Sequence, residues 1–404
     1  MTKIKKSVLC IVLSVIMALI GQLIACAKEA DRHLSFRENS ELKILHLTDW
    51  HTAYPMPQAQ KQFVIEALAA VAPDMVVLGG DMSEASGEDQ PSAVKEICDL
   101  MIAADVPFAI TFGNHDYLHQ MTIDELFALY KQYGGSYCLS VDEQPELFGC
   151  GTCSIPVYAC DSDEIAYMIY CFDSGCEVEE TQSAPQTVKV ANHDSVHSDQ
   201  IEWYVRTAEK LRAENGGNPV PSVVFQHIIP QEIVAQFFPQ AKDGDNKNVY
   251  RFDQKQYKLL AIPNLSCIKD GYIMERPCPG YYNYGQLDAM LNNGDVRAII
   301  CGHDHSNSFT VNIGGIDIVN TPSVKPHSTF KIINWGGRVV TLHEDGTYDS
   351  KVLTGYELSE KSGSGILSTG VLSRSDRAFT KAWKLFVDSS MIFWKCVTKV
   401  VYGF

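Results

Sequence analysis

Residues 43–51 read Lys43-Ile44-Leu45-His46-Leu47-Thr48-Asp49-Trp50-His51. The first five form a short apolar run of strand length, and an Asp-x-His pair follows it at once. The same arrangement recurs along the chain. Met75 to Leu78 is followed by Gly80-Asp81, and Phe108 to Thr111 by Gly113-Asn114-His115-Asp116. Ser222 to Phe225 is followed by Gln226-His227, and Val296 to Ile300 by Gly302-His303-Asp304-His305. Helical periodicity fills the intervals at Gln58 to Val71, Ser92 to Ala103 and Asp199 to Arg212. Another helix is expected from about Ile123, where Thr122 and Glu125 match a capping box. Strands alternating with helices predict an α/β fold, with parallel pairing and helices packed outside the sheet.

The texture changes twice. Phe148 to Phe172 reads as a hairpin, and Ser308 to Val352 as short antiparallel strands separated by Gly314-Gly315, Gly336-Gly337 and Asp345-Gly346. Residues 355–375 are rich in Gly and Ser and read as a linker. The last segment, 376–404, has helical spacing of Phe379, Trp383, Phe386, Phe393, Val397 and Val400, with Lys381, Lys384, Lys395 and Lys399 between them. Two uses of that stripe stay open: packing on the preceding domain, or contact with a membrane interface.

The five polar clusters carry the chemistry. Carboxyl ends of neighbouring strands converge on one edge of a sheet, so Asp49, His51, Asp81, Asn114, His227, His303 and His305 can meet although they span most of the chain. Carboxylate, amide-oxygen and imidazole donors without thiolate suit Mn, Fe or Zn, and adjacent glycines let the loops turn tightly. Taken singly, each cluster has an ordinary explanation: Gly-Asp is common in turns, and a lone buried His such as His227 is usually structural. Five in this order, each at a strand end, point to a metal site.

The ordered series D-x-H, G-D, G-N-H-D, H and G-H-x-H resembles the signature of the calcineurin-like metallophosphoesterase superfamily, over roughly Leu42 to Val352. The resemblance implies a β-sandwich of two mixed sheets flanked by helices, a four-layer fold within a domain spanning 28–354. Carried over residue by residue, it implies that Asp49, His51 and His305 hold one metal ion and that Asn114, His227 and His303 hold the second. Asp81 would bridge two divalent or trivalent ions, and His115 would face the substrate as proton donor to the leaving group. Asp116 would either orient His115 or cap the following loop. Phe172-Asp173-Ser174-Gly175, Gln200-x-x-Trp203 and Gly302-His303-Asp304-His305-Ser306-Asn307 are most similar to the small purple-acid-phosphatase-like branch. Two departures stand out. Glu84 occupies the place of the tyrosine ligand expected three residues after the bridging aspartate, which argues against a ferric-tyrosinate centre, and Lys325 to Trp335 also departs from the branch pattern.

The implied reaction is hydrolysis of a phosphate ester, monoester first. Two divalent ions bring more positive charge than Asp49 and Asp81 return, so a cationic pocket sits in an acidic protein. A phosphodiesterase on the same site and a non-catalytic metal-binding surface protein are the alternatives. His119, His193 and His197 are further histidines for the substrate mouth, and Tyr281, Tyr282 and Tyr284 either line it or pack a loop.

Composition bounds the partners. With 46% hydrophobic and 20% charged residues the chain is globular, and a net charge of -16 opposes nucleic-acid binding, which needs Lys and Arg against phosphates. Lys3, Lys5 and Lys6 precede an apolar run from Val8 to Ile20, so residues 1–27 read as an export signal. Leu23-Ile24-Ala25-Cys26 fits a lipobox whose cysteine would carry lipid, Ala25-Cys26-Ala27 fits a cleavage site for free secretion, and the stretch is nearly long enough for an uncleaved anchor. The expected location is outside the cytoplasm, with a membrane-held lipoprotein favoured. Thirteen cysteines include Cys150-x-x-Cys153, which reads as buried strand thiols or a local disulfide rather than a zinc or redox motif.

Overall fold

The computed structural model describes residues 32–402 apart from 119, 179–192, 240, 244–249, 253–262, 327–334, 362, 370, 372 and 373. The leader at 1–27, His119 and most of the segment after Lys325 therefore lie outside the described residues. From Leu34 onward the chain forms one unit.

Two mixed sheets face each other. The five-stranded sheet has the order β15-β14-β2-β3-β4, built from β2 (Glu41–Leu47), β3 (Met75–Gly79), β4 (Phe108–Thr111), β14 (Gly336–His343) and β15 (Tyr348–Thr354). The eight-stranded sheet has the order β1-β5-β6-β7-β11-β13-β12-β10. Its strands are β1 (Leu34–Ser35), β5 (Cys153–Tyr158), β6 (Ile165–Cys171), β7 (Ser222–Phe225), β10 (Ile268–Tyr272), β11 (Val296–Cys301), β12 (Ser308–Ile313) and β13 (Ile316–Asn320). A separate hairpin pairs β8 (Ala241–Asp243) with β9 (Tyr250–Phe252). The helices are α1 (Gln58–Val71), α2 (Asp89–Ala103), α3 (Ile123–Gly134), α4 (Ser198–Glu214), α5 (Ile233–Phe237), α6 (Gln286–Asn293), α7 (Gly355–Ser359) and α8 (Arg374–Tyr402).

Side chains alternate across each sheet, and both faces are apolar. Leu42 and Ile44 of β2, Met75 and Val77 of β3, Val223 and Phe225 of β7, and Ala298 and Ile300 of β11 fill the core between the sheets. Their neighbours Leu45, Leu47, Val76 and Leu78 turn outward into a second core with Phe63, Val64 and Ile97 from α1 and α2. Val224, Ile299 and Cys301 turn into a third, with Tyr204 of α4 and Met290 of α6. Continuous apolar runs are what a strand buried on both faces needs, and each fully buried Val, Leu, Ile or Phe contributes about 1.5–3 kcal/mol. The result is the expected four layers.

Within the sheets β2, β3 and β4 run parallel, as do β6, β7, β11 and β13. The carboxyl ends of β2, β3 and β4 thus lie side by side, and so do those of β7 and β11. The capping box predicted at Thr122 and Glu125 is formed at α3.

Two expectations need correction. Gly336-Gly337 does not separate strands but opens β14, because the backbones there are too close for a side chain. A Cβ at Gly336 would stand 2.5 Å from the Leu353 carbonyl oxygen, and one at Gly337 would stand 2.6 Å from the Leu47 side chain. The Gly- and Ser-rich segment from 355 is packed rather than a bare linker. Thr354 and Glu357 cap α7 reciprocally, Leu358 and Ile366 are fully buried against α1, and Glu66 of α1 accepts the Gly365 and Ile366 N–H groups. Two apolar anchors eight residues apart outweigh the flexible composition between them.

Candidate metal centre

The loops leaving β2, β3, β4, β7 and β11 bring the five clusters together. Asp49, His51, Asp81 and His305 offer ligating atoms that all lie within 4.8 Å of one another, and Asp81, His227 and His303 do the same, so Asp81 belongs to both groups. The described residues show unusual backbone at these positions. Seven non-glycine residues have positive φ, and four of them are Asp49, His51, Asp81 and His303. Such strain costs on the order of 1–3 kcal/mol each and persists where the surroundings enforce it, typically at functional sites.

Glycines flank the ligands because there is no room for a Cβ. One at Gly113 would stand 2.3 Å from Asp81 Oδ1, and one at Gly302 would stand 2.7 Å from Asp49 Oδ2. Neither residue has positive φ, so close approach rather than a tight turn explains them.

Each donor is held from behind. Thr48 Oγ1 donates to Asp49 Oδ2 at 2.8 Å and the His303 N–H to the same oxygen at 3.0 Å, which turns Oδ1 inward. The His115 N–H donates to Asp81 Oδ1 at 2.8 Å, leaving Oδ2 to face the pocket. His227 Nδ1 lies 2.8 Å from the Gly79 carbonyl oxygen, a bond that only an Nδ1–H can make, so Nε2 is the nitrogen that faces inward. Asp49 Oδ1, Asp81 Oδ2, Asn114 Oδ1, His227 Nε2 and His303 Nε2 are buried without a hydrogen-bond partner among the described residues. His51 Nε2 stands 3.0 Å from His305 Nε2. Buried polar atoms are nearly always paired, so this many unpaired ligating atoms converging on Asp81 fit a site built for metal ions.

Charge in the pocket is strongly coupled. Burial alone would raise Asp49 and Asp81, but the His227 imidazole holds both well below the usual carboxylate range. Burial would lower His227, yet Asp81 and Asp49 together push it up to about 10. His51 goes the other way, because burial outweighs Asp81 and Asp49 and lowers it to about 4.

Asp116 is placed as a loop-holding residue. Its Oδ2 accepts the Asp81 N–H at 2.8 Å and the Gly113 N–H at 2.9 Å, and its Oδ1 accepts the Met82 N–H at 3.2 Å. It ties the β3 and β4 loops together through backbone that precedes it in sequence, rather than orienting the His115 ring or capping the following loop. His115 stands edge-on to His51, ring centroids 4.8 Å apart. Of the other histidines, His193 reaches the site, its ring 4.2 Å from that of His303. His197 does not: it bonds Asp194 at 2.9 Å and stacks on Phe148 at 3.5 Å before α4. Tyr281 and Tyr282 pack on each other, and Tyr284 lies against His197.

Two of the purple-acid-phosphatase-like motifs prove to be supports, while the third carries His303 and His305. Gln200 Nε2 donates to the Asp173 carbonyl oxygen at 2.8 Å, Trp203 packs edge-on to Phe172, and Ser174 Oγ accepts the Ile228 N–H at 2.9 Å beside His227. One group escaped the sequence reading. Lys325 Nζ pairs with Glu84 Oε1 at 2.8 Å, and that same oxygen lies 3.5 Å from His51 Nδ1. Glu84 was legible only as a departure, and a partner 241 residues away leaves no local pattern. Cys150 and Cys153 are buried free thiols outside the site.

A family model described as calcineurin-like phosphoesterase matches residues 42–307. The chain is 24% identical over 324 residues to a protein of Arabidopsis thaliana named probable inactive purple acid phosphatase 29, the match covering 71% of this chain and 72% of the relative. A second Arabidopsis thaliana protein, named probable inactive purple acid phosphatase 14, is 21% identical over 337 residues, with 76% of each chain covered. The solved structure of a dimetal phosphatase from Danio rerio aligns with a TM-score of 0.47 at 13% identity, covering 78% of this chain and 98% of that one.

Proposed function

This chain belongs to the calcineurin-like phosphoesterase family, and we propose that it is a two-metal hydrolase of phosphate monoesters working outside the cytoplasm. The observation that carries the reading is the set of buried, unpaired donor atoms gathered about Asp81. Asp49, His51 and His305 would hold one ion, Asn114, His227 and His303 the other, and Asp81 both. When bound, such ions supply Lewis-acid chemistry, polarising phosphoryl oxygens and lowering the pKa of bound water. The protein's own residues do the rest. Thr48, the His303 N–H and the Gly79 carbonyl fix which atoms of Asp49 and His227 face inward. Asp116 locks the β3 and β4 loops in register. His115, anchored through its N–H to Asp81, hands a proton to the departing oxygen. The preference for a monoester over a diester rests on the resemblance of Phe172-Asp173-Ser174-Gly175, Gln200-x-x-Trp203 and Gly302 to Asn307 to the small purple-acid-phosphatase-like branch.

A second reading follows from the word inactive in both relatives' names: a metal-binding protein without turnover. Metal-reconstituted protein assayed on an aryl phosphate monoester and the matching diester separates the cases. Faster monoester turnover supports the proposal, diester preference moves the chain to phosphodiesterases, and two bound ions with no turnover on either substrate establish the second reading. Location rests on residues 1–27, with Cys26 as lipid-bearing residue. Cys26→Ser should move the protein from the membrane to the soluble fraction, and unchanged membrane association would refute the lipobox.

A further inference from the structure

Helix α8 (Arg374–Tyr402) presents two opposed faces. On one, Met391 packs into the core beneath α4 and α6, and Thr398 is buried, with the helix seated on the 3-10 turn Leu265–Cys267. At roughly 100° per residue, Leu385, Ile392 and Phe393 project about 110–150° away from that seat. Their exposures are 63%, 67% and 61%. Nine large hydrophobic residues are exposed among the described residues, and five of them fall between Leu385 and Trp394, so the exposed apolar surface is concentrated on this helix. Scattered single apolar residues need no explanation, but a contiguous patch does.

Charge identifies the occupant. The helix carries six Lys and Arg against two Asp, a net +4 in a chain of -16. Lys381 is exposed and Lys395 half-buried, and both project at the same edge of the apolar arc, with exposed Asp388 between them, so that edge keeps a net positive charge. A second copy paired antiparallel through this face would set one net-positive edge against the other. No described helix is long and apolar enough to cross a membrane. An apolar face bordered by lysines, on a helix too polar to span, matches the physics of a helix lying in a bilayer interface. We infer that α8 is a membrane-docking helix, its Leu385, Ile392 and Phe393 entering the acyl boundary of an anionic lipid surface while its lysines meet the headgroups. This contact is independent of the N-terminal leader and of the metal site.

The test uses the full chain and the variant Leu385→Glu/Ile392→Glu/Phe393→Glu, with co-sedimentation on phosphatidylcholine vesicles with and without phosphatidylglycerol. The altered residues are exposed, so unchanged far-ultraviolet circular dichroism and melting are expected. The wild type should prefer the anionic vesicles and lose binding as salt rises, and the variant should bind them at least about tenfold more weakly. A second measurement isolates the helix from any hold by residues 1–27: acyl-brominated lipid should quench an indole placed on the docking face by Phe393→Trp in a Trp394→Phe background, read as the signal gained over Trp394→Phe alone. Quenching of that signal supports the inference whatever the leader does. Absence of that quenching overturns it. So does a wild-type dimer that the triple variant splits, which would give the face to a second copy.

Discussion

Replacing Asp81 by asparagine removes one charge and keeps the shape. The amide oxygen can still accept the His115 N–H that Oδ1 accepts at 2.8 Å, so the β4 loop keeps its anchor. The inward oxygen becomes an NH2 group facing His227 Nε2 at 3.2 Å and His51 Nε2 at 3.6 Å. At 3.2 Å and an effective dielectric near 20, a unit pair attracts by about 5 kcal/mol, and a dication is drawn more strongly. Because Asp81 belongs to both ligand groups, both ions should be lost, whereas His51→Ala should cost chiefly one. A convenient readout is the rise in melting temperature with added metal. Saturation a thousandfold above Kd stabilises by about 4 kcal/mol, or roughly 5 °C for a chain of this size. Asp81→Asn should flatten that rise, bring metal content below one equivalent and reduce turnover by at least about a thousandfold. Two retained equivalents with normal turnover would refute the bridging assignment.

His115→Ala should cost about 10² to 10⁴ in rate on alkyl phosphates and far less on activated aryl phosphates, with both ions retained; equal losses would make it a charge stabiliser, and loss of metal would make it a ligand. Purified, metal-loaded protein should lack the intense visible band of a tyrosinate-iron centre, because Glu84 stands where the tyrosine is expected; a purple preparation would contradict this. In chelated protein the folded-state pKa of His227, about 10, lies above its ordinary 6.5, so protonation favours the fold. That contribution is whole below about pH 6.5 and is lost as pH rises through 10, so urea midpoints should fall across that window and hold steady in His227→Gln.

Much of this was legible because both regular sheets and metal sites leave local marks. Leu42 and Ile44 fill one face of β2 and Leu45 and Leu47 the other, since β2 is covered on both faces. The ligands announce themselves by type and by position at strand ends. What stayed hidden depends on juxtaposition. Gly336-Gly337 has the composition of a turn, and only the nearness of Leu353 and Leu47 makes it strand. Segment 355–369 has the composition of a linker, and only the surface of α1 makes it packed. Asp116 could orient a ring or hold backbone, and the choice depends on β3 lying beside β4. The Lys325–Glu84 pair and the seating of α8 are likewise contacts between distant segments.

The central claim is that two ions at one carboxylate-bridged centre turn over a phosphate ester. Its most direct test is turnover of an aryl phosphate monoester measured against equivalents of metal added to chelated protein, with bound metal counted in the same samples. Activity should climb to a plateau at two ions per chain and vanish on renewed chelation. A plateau at one ion, activity unaffected by chelation, or two bound ions with no turnover would contradict it.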